Sequence, residues 1–355
     1  MSHGYINTSF LTGFSDLAVS RGGNPTALYE AVGLDRDSYI DEKFSTSATS
    51  HPRLLITQEQ FVELLEYSAR QLNCPDLALQ LAKRQGAYIL TPLVPMFADC
   101  QTLLDVTKVL EKYMSHIVYG GQIDVTVGEN HIHTCVRAVH PHLLRYTQIE
   151  DYVLAVVYNT INHLLGKNYP LRACYFTRHE SDPTKIEQYA QYFGCPVVFN
   201  NSELAITSNN ALMDQSVTEI ISQFINRVKR SIPKHHSGFI HQIRQTISLS
   251  LANNGAPIED IARVLNMGHR TLQRRLHEQN ISYRTLVDSV RHELANQYLR
   301  QSGYSLTHIA GLLGYSNLSS FSRGYQRHCG LSPTQARQQF LLLSGESSSW
   351  KSKKT

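Results

Sequence analysis

Between residues 258 and 327 one apolar skeleton occurs twice. Ile258, Ile261, Ala262 and Leu265 return 48 positions later as Leu306, Ile309, Ala310 and Leu313, and Leu272 and Leu276 return 49 positions later as Phe321 and Tyr325. The spacing inside each group follows one face of a helix, and the break between groups suits a turn. Each copy therefore predicts a short helix, a turn and a second helix, the second copy having one extra residue in its turn. The side chains at the other positions fit that arrangement. Ala262 and Ala310 are small where two helices cross steeply, and Gly268 and Gly314 fall in the turns, where a positive φ is expected. Glu259 and Asp260 suit the start of a helix dipole, and Ser305 is placed to cap a helix.

The second helix of each copy turns a polar face away from these anchors. Arg270, Gln273 and Arg274 lie there in the first copy; Asn317, Ser319, Ser320, Arg323 and Arg327 lie there in the second. Such side chains hydrogen-bond base edges and phosphates, and a bidentate Arg on guanine or Gln on adenine discriminates by about 1–3 kcal/mol. One helix-turn-helix pattern is common in any helical protein, whereas two joined by a helix are more specific. The joining segment, 282–299, carries Leu286, Val290, Leu294 and Leu299 without a breaker. At 1.5 Å per residue it spans about 25 Å, suited to holding two reading helices in successive major grooves about 34 Å apart.

The charge is divided to match. Residues 1–237 hold 19 Lys and Arg against 23 Asp and Glu, a net −4, whereas residues 238–340 hold 11 Arg against 5 acids, a net +6. A basic module on an acidic body predicts that only the module meets a polyanion.

Residues 258–337 resemble the DNA-binding domain of the AraC/XylS family of bacterial transcription regulators. The resemblance is carried by Ile309-Ala310, Leu313-Gly314-Tyr315-Ser316-Asn317, Ser320-Phe321-Ser322-Arg323 and Gly330-Leu331-Ser332-Pro333. It implies that Arg270, Gln273 and Arg274 occupy the DNA-facing positions of the first recognition helix, and Ser319, Ser320 and Arg323 those of the second. Gly324 departs from the alanine or larger residue expected there, and glycine inside a helix costs up to about 1 kcal/mol.

Upstream, helical and strand periods interleave. Helices are predicted over 60–72, 102–113, 149–165 and 185–193, and strands over 172–177, 197–199 and 204–207. Ile123, Val125 and Val127, then Ile132, Thr134 and Val136, alternate about Gly128-Glu129-Asn130 and predict a hairpin. The expected fold is an α+β sensing domain followed by an all-α double helix-turn-helix domain. Its expected boundaries are 1–214 for an effector-binding domain, 215–238 for an amphipathic helix and linker, 239–340 for the DNA-binding domain and 341–355 for a disordered tail. The stripe of Val217, Ile220, Ile221, Phe224, Ile225 and Val228 suits packing on its own domain or a homodimer through 216–231. The string Tyr192-Phe193-Gly194-Cys195-Pro196-Val197, with Thr102-Leu103-Leu104 and Tyr113, is similar to the sensing domain of a subgroup that includes ornithine-responsive regulators, rather than to a cupin barrel.

What these resemblances imply is a cytoplasmic regulator, an activator by family, that binds double-stranded promoter DNA, answers to a small-molecule effector and works on RNA polymerase. The alternative is a regulator whose N-terminal domain only dimerises or binds a protein. Tyr113, Arg137 and Arg145 are candidates to line an effector pocket. His131, His133, His140 and His142 cluster near Cys135, but a metal site needs more ligands in tetrahedral reach, and a solvated histidine face is expected, with no metal or cofactor. No apolar run approaches the roughly 18 residues of a membrane span, and the six scattered cysteines suit reduced thiols. An enzyme is not expected. Cys195 before Pro196 is the one candidate nucleophile, and the Pro-Cys-His-Arg motif of DNA-alkyl transferases that carry such helices is absent.

Overall fold

A computed structural model describes residues 5–34, 55–86, 97, 100–117, 121–138, 146–165, 169–210, 219, 221–223, 239–265, 267–300 and 304–343. The chain divides into two compact units, one covering 4–238 and the other beginning at Phe239.

In the first unit, β1 (Tyr5–Asn7) pairs antiparallel with β2 (Leu55–Thr57), beside the helices α1 (Phe14–Ser20), α2 (Pro25–Ala31), α3 (Gln58–Gln71) and α4 (Leu77–Gln85). Local chemistry sets the helix starts. The Asn24 side chain accepts from the Thr26 amide ahead of α2, and Thr57 and Gln60 form a reciprocal capping box on α3. Helix α5 (Leu103–Ile117) leads into β3 (Gly121–Val127) and β4 (His131–Ala138), and then come α6 (Thr147–Leu165), β5 (Leu171–Tyr175), α7 (Pro183–Phe193), β6 (Val197–Val198) and β7 (Leu204–Asn209).

The five later strands form one open sheet in the order β3-β4-β7-β5-β6, antiparallel except for β5 and β6. The expected hairpin is present: Ile123 faces Val136, Val125 faces Thr134 and Val127 faces Ile132, so the alternating residues share one face. Behind it, α6 carries polar groups into the core and satisfies them there. The Tyr152 hydroxyl donates to Gln85 Oε1 at 2.6 Å, Gln85 Nε2 donates to the Phe10 carbonyl at 2.7 Å, and Asn159 Nδ2 donates to the Ala82 carbonyl at 2.9 Å. Glu150 and Asp151, both fully buried, share Arg178, at 2.9 and 2.6 Å respectively, and Tyr189 donates to Asp151 at 2.8 Å. Burial pushes the Asp151 carboxyl up to about 6 despite the guanidinium beside it.

The second unit is entirely helical over its described residues: α8 (Phe239–Asn254), α9 (Ile258–Val264), α10 (His269–Glu278), α11 (Tyr283–Leu299), α12 (Leu306–Leu312), α13 (Leu318–Cys329) and α14 (Pro333–Leu343). Ile243, Ile247 and Leu251 form a buried stripe on α8, a helix outside both copies of the repeat. Buried Arg244 joins α8 to α11, bonding Ser289 Oγ at 2.9 Å and the Glu293 carboxylate. Two expectations need correction. Helix α14 continues to Leu343, past the expected start of the tail at Leu341, with Arg300 stacked 4.8 Å over Phe340 in its last turns. Gly268 has φ −72°, an extended N-cap open to any residue, so the chain does not need a left-handed turn there. The expected linker, 215–238, lies outside the described residues except at 219 and 221–223.

Candidate nucleic-acid interface

Both copies of the repeat fold as helix-turn-helix units, α9–α10 and α12–α13, with α11 between them. Their anchors form the core. Ile261, Ala262, Leu272 and Leu276 are buried in the first unit, and Ile309, Ala310, Leu313, Phe321 and Tyr325 in the second. The second turn is tight because Gly314 adopts φ +71°, and a Cβ there would sit 2.4 Å from the Leu251 carbonyl oxygen and 2.9 Å from Gly255 Cα. Glycine is required on both counts. Gly324 is explained by its neighbour: a Cβ would lie 2.7 Å from the Tyr315 hydroxyl, and the Tyr315 ring in turn packs beneath the Arg291 guanidinium at 4.9 Å.

Opposite these anchors the named polar residues reach solvent. Arg270, Gln273 and Arg274 are exposed on α10, and Asn317, Ser319, Arg323 and Arg327 are exposed along α13, with Ser320 half-buried. Arg274 Nη1 lies 2.8 Å from Glu278 Oε1 one turn on, an exposed pair worth only about 0.3–0.5 kcal/mol and readily exchanged for another anion. Asn317 has a local task that the sequence reading missed: its Oδ1 accepts from the Ser320 amide at 2.8 Å and caps α13. By contrast α10 begins at Gly268 with no side-chain cap on its first amides. Two of the arginines counted in the basic region do other work. Arg244 is buried in its clamp, and Arg291 donates to the Leu313 carbonyl at 3.1 Å and to the Gly255 carbonyl at 3.4 Å.

A polar chain ties the second recognition helix to the joining helix. The Tyr325 hydroxyl donates to Asn296 Oδ1 at 2.5 Å, Asn296 Nδ2 faces His292 Nε2 at 3.0 Å, and His292 Nδ1 lies 3.1 Å from the Cys329 sulfur. Burial, with the His328 ring beside it, holds His292 below the usual imidazole range.

The first unit has a cavity, open to solvent, between α5, α6 and the sheet, with Ile132 and Thr134 of β4 on its wall. Arg137 is not brought to it. That side chain points to the other face of β4, alternating with Thr134, and pairs with Asp124 at 2.7 Å. The side chain of Tyr113, and all of Arg145, His140 and His142, lie outside the described residues. His133 pairs with Glu203 at 3.0 Å, and among the described residues no group of three or more His, Cys, Asp or Glu is placed to hold a metal. Cys195 is buried with its sulfur 3.6 Å from that of Cys174, which the β5–β6 pairing brings alongside it from 21 residues away. No helix among the described residues is long and apolar enough to cross a membrane.

Comparison with known proteins agrees with this architecture. Residues 22–217 match the family model described as the arabinose-binding domain of AraC transcription regulator, N-terminal, and residues 261–339 match a helix-turn-helix domain. The chain is 29% identical over 344 residues to the HTH-type transcriptional regulator VirS of Mycobacterium tuberculosis, covering 94% of this chain and 96% of that protein. It is 25% identical over 193 residues to the ornithine utilization regulator of Pseudomonas aeruginosa, covering 52% and 56%. The crystal structure of the transcriptional regulator CdpR from P. aeruginosa is 22% identical, with a TM-score of 0.32 over 74% of this chain and 87% of that one. The matched domains and these relatives are transcription regulators rather than enzymes, and the chain belongs to the AraC family of DNA-binding transcription regulators.

Proposed function

We propose that α10 and α13 read promoter DNA, with Arg270, Gln273, Arg274, Ser319, Ser320 and Arg323 toward base edges and Arg327 and Asn317 toward the phosphate backbone. The observation that carries this is the exposure of these side chains on two helices whose opposite faces are buried at equivalent positions of the repeat. The test is promoter binding by the R274A/R323A variant, measured against a scrambled fragment. Loss of about 1–3 kcal/mol of discrimination per reading side chain is expected, and unchanged affinity and selectivity would overturn the assignment.

The first unit is proposed to hold a small-molecule effector that shifts the DNA-binding unit between two states by binding one of them better. Its cavity supports this, as does the match to a family model whose description names a ligand. The family resemblance further supports activation, through RNA polymerase. If the first unit instead served only to dimerise, through 216–231, or to bind a protein, no metabolite would raise the melting temperature. A true effector at 100 times its Kd stabilises by about 2.7 kcal/mol.

A further inference from the structure

The cavity in the first unit has a wall chemistry that selects its ligand. Val106 and Leu110 of α5, Val125 and Ile132 of the sheet and Val157 and Ile161 of α6 line it, and no ionisable side chain does so among the described residues. Four hydroxyls complete the lining, and three of them are committed elsewhere. Thr107 Oγ1 donates to the Leu104 carbonyl and Thr160 Oγ1 to the Val156 carbonyl, each at 2.8 Å, and Ser208 bonds the Tyr169 hydroxyl. Thr134 is left to orient a guest. Glu111 of α5 accepts the outward amide of Val125 at 2.7 Å and so pins that helix to the sheet edge. The cavity's apolar walls and few polar groups are those of small-molecule sites.

We propose that this cavity binds an uncharged small molecule with a predominantly hydrocarbon body, aliphatic or aromatic, bearing one or two hydroxyl or carbonyl groups. A carboxylate or ammonium inside it would lose its water without gaining a counter-ion, and a polyhydroxylated sugar would leave most of its hydroxyls unbonded. The described lining residues therefore disfavour diamino acids and free sugars. The ligand's regulatory role rests on the effector reading above, whereas its chemistry rests on the walls alone.

The test uses the full chain and the uncharged fluorescent probe N-phenyl-1-naphthylamine, with 1-decanol, ornithine and arabinose as competitors. Saturable probe binding is expected, displaced by decanol and untouched by the other two. L110W and V125W, which fill the cavity from different walls, should each weaken probe binding about ten-fold or more while retaining the native far-ultraviolet spectrum. Non-saturable binding, displacement by ornithine or arabinose, or unchanged affinity in whichever variant folds would overturn the proposal. Promoter affinity measured with and without decanol separates the two readings. If the probe and decanol bind in the cavity while promoter affinity stays fixed, the effector reading fails and the site stands. If promoter affinity responds to a metabolite while the probe does not bind, the effector reading stands and the site fails.

Discussion

Gly314 shows how a single position can hold a recognition element in place. Its φ of +71° and its approach to the backbone of Leu251 and Gly255 mean that any side chain must both strain the turn and displace main chain that cannot yield easily. Left-handed backbone at a residue with a Cβ costs about 1–2 kcal/mol, and overpacking adds about 1–3. G314A should therefore lower the stability of the helical unit by about 2 kcal/mol or more, seen as a fall of about 8 °C or more in its melting temperature. G268A should change it by less than about 1 kcal/mol, since an extended N-cap accepts alanine and the nearest atom to its Cβ is Thr271 Oγ1 at 3.9 Å. The sequence placed both glycines in turns but could not tell them apart. What separates them is backbone from α8 passing beside one and not the other, and that packing has no local signature. His292 has a similar history. In the sequence it is one more residue of a helix; in the fold its Nε2 faces the Asn296 amide and its Nδ1 the Cys329 sulfur. Because the folded unit holds the His292 pKa below 6.5, the unfolded chain takes up the proton first as pH falls. Stability contributed by this chain is thus fully present above about pH 6.5 and is lost as pH drops through the folded pKa. Melting temperatures of the wild type and H292Q measured between about pH 5 and 8 should diverge in their acid limbs, with the steeper decline in the wild type.

The helices that the sequence made legible are those whose pattern repeats. Copies 48 and 49 residues apart reinforce each other, and every anchor from Ile261 to Tyr325 named above is buried except Leu265 and Leu306, which are half-buried. The hairpin was legible for the same kind of reason, a period of two on both sides of a glycine-containing turn. The short elements α1, α2 and α4, the two-stranded pairing of β1 with β2, and the buried stripe of α8 were not read. A seven-residue helix gives barely two turns of periodicity, and β1 finds its partner some 50 residues away, so what stabilises these elements is tertiary. The candidate interface was more legible than the cavity. The candidate recognition side chains are surface residues of one helix face, whereas the cavity is assembled from α5, three strands and α6, and its character lies in the absence of charge among its described lining residues rather than in a motif. Element starts can be tested separately. Removing the α13 cap with N317A should cost about 1 kcal/mol and fray the first turn, which carries Ser319 and Ser320. N317D keeps an acceptor for the Ser320 amide and should retain that stability, so weaker promoter binding by the folded N317D variant would report charge repulsion at a phosphate rather than fraying. Denaturation midpoints and promoter Kd for the two variants distinguish these effects.

On the scale of the whole chain, the division of charge becomes a quantitative expectation once the arginines are placed. Of the 11 in residues 238–340, Arg244 is buried in its clamp and Arg291 is spent on main-chain carbonyls, so the gross count overstates what DNA can meet. Arg270, Arg274, Arg323 and Arg327 are exposed on the two recognition helices. If each neutralises one phosphate or displaces the equivalent counter-ions, the logarithm of the binding constant should fall against the logarithm of salt concentration with a slope of about −3.6 or steeper. That corresponds to about a hundred-fold loss of affinity between roughly 50 and 200 mM salt. The acidic first unit, net −4 over residues 1–237, adds no phosphate-neutralising surface and disfavours wrapping of DNA onto it, so the slope should belong to the helical unit. R327A should reduce the slope by about 0.9 and weaken binding to all sequences alike, whereas R270A should in addition alter the preferred bases at one half-site. Fluorescence anisotropy of a promoter fragment and of a scrambled fragment, titrated at four salt concentrations for the three proteins, reads both quantities at once. A slope near −1 in the wild type would mean that the exposed arginines face solvent in the complex and that another surface makes the contact with DNA.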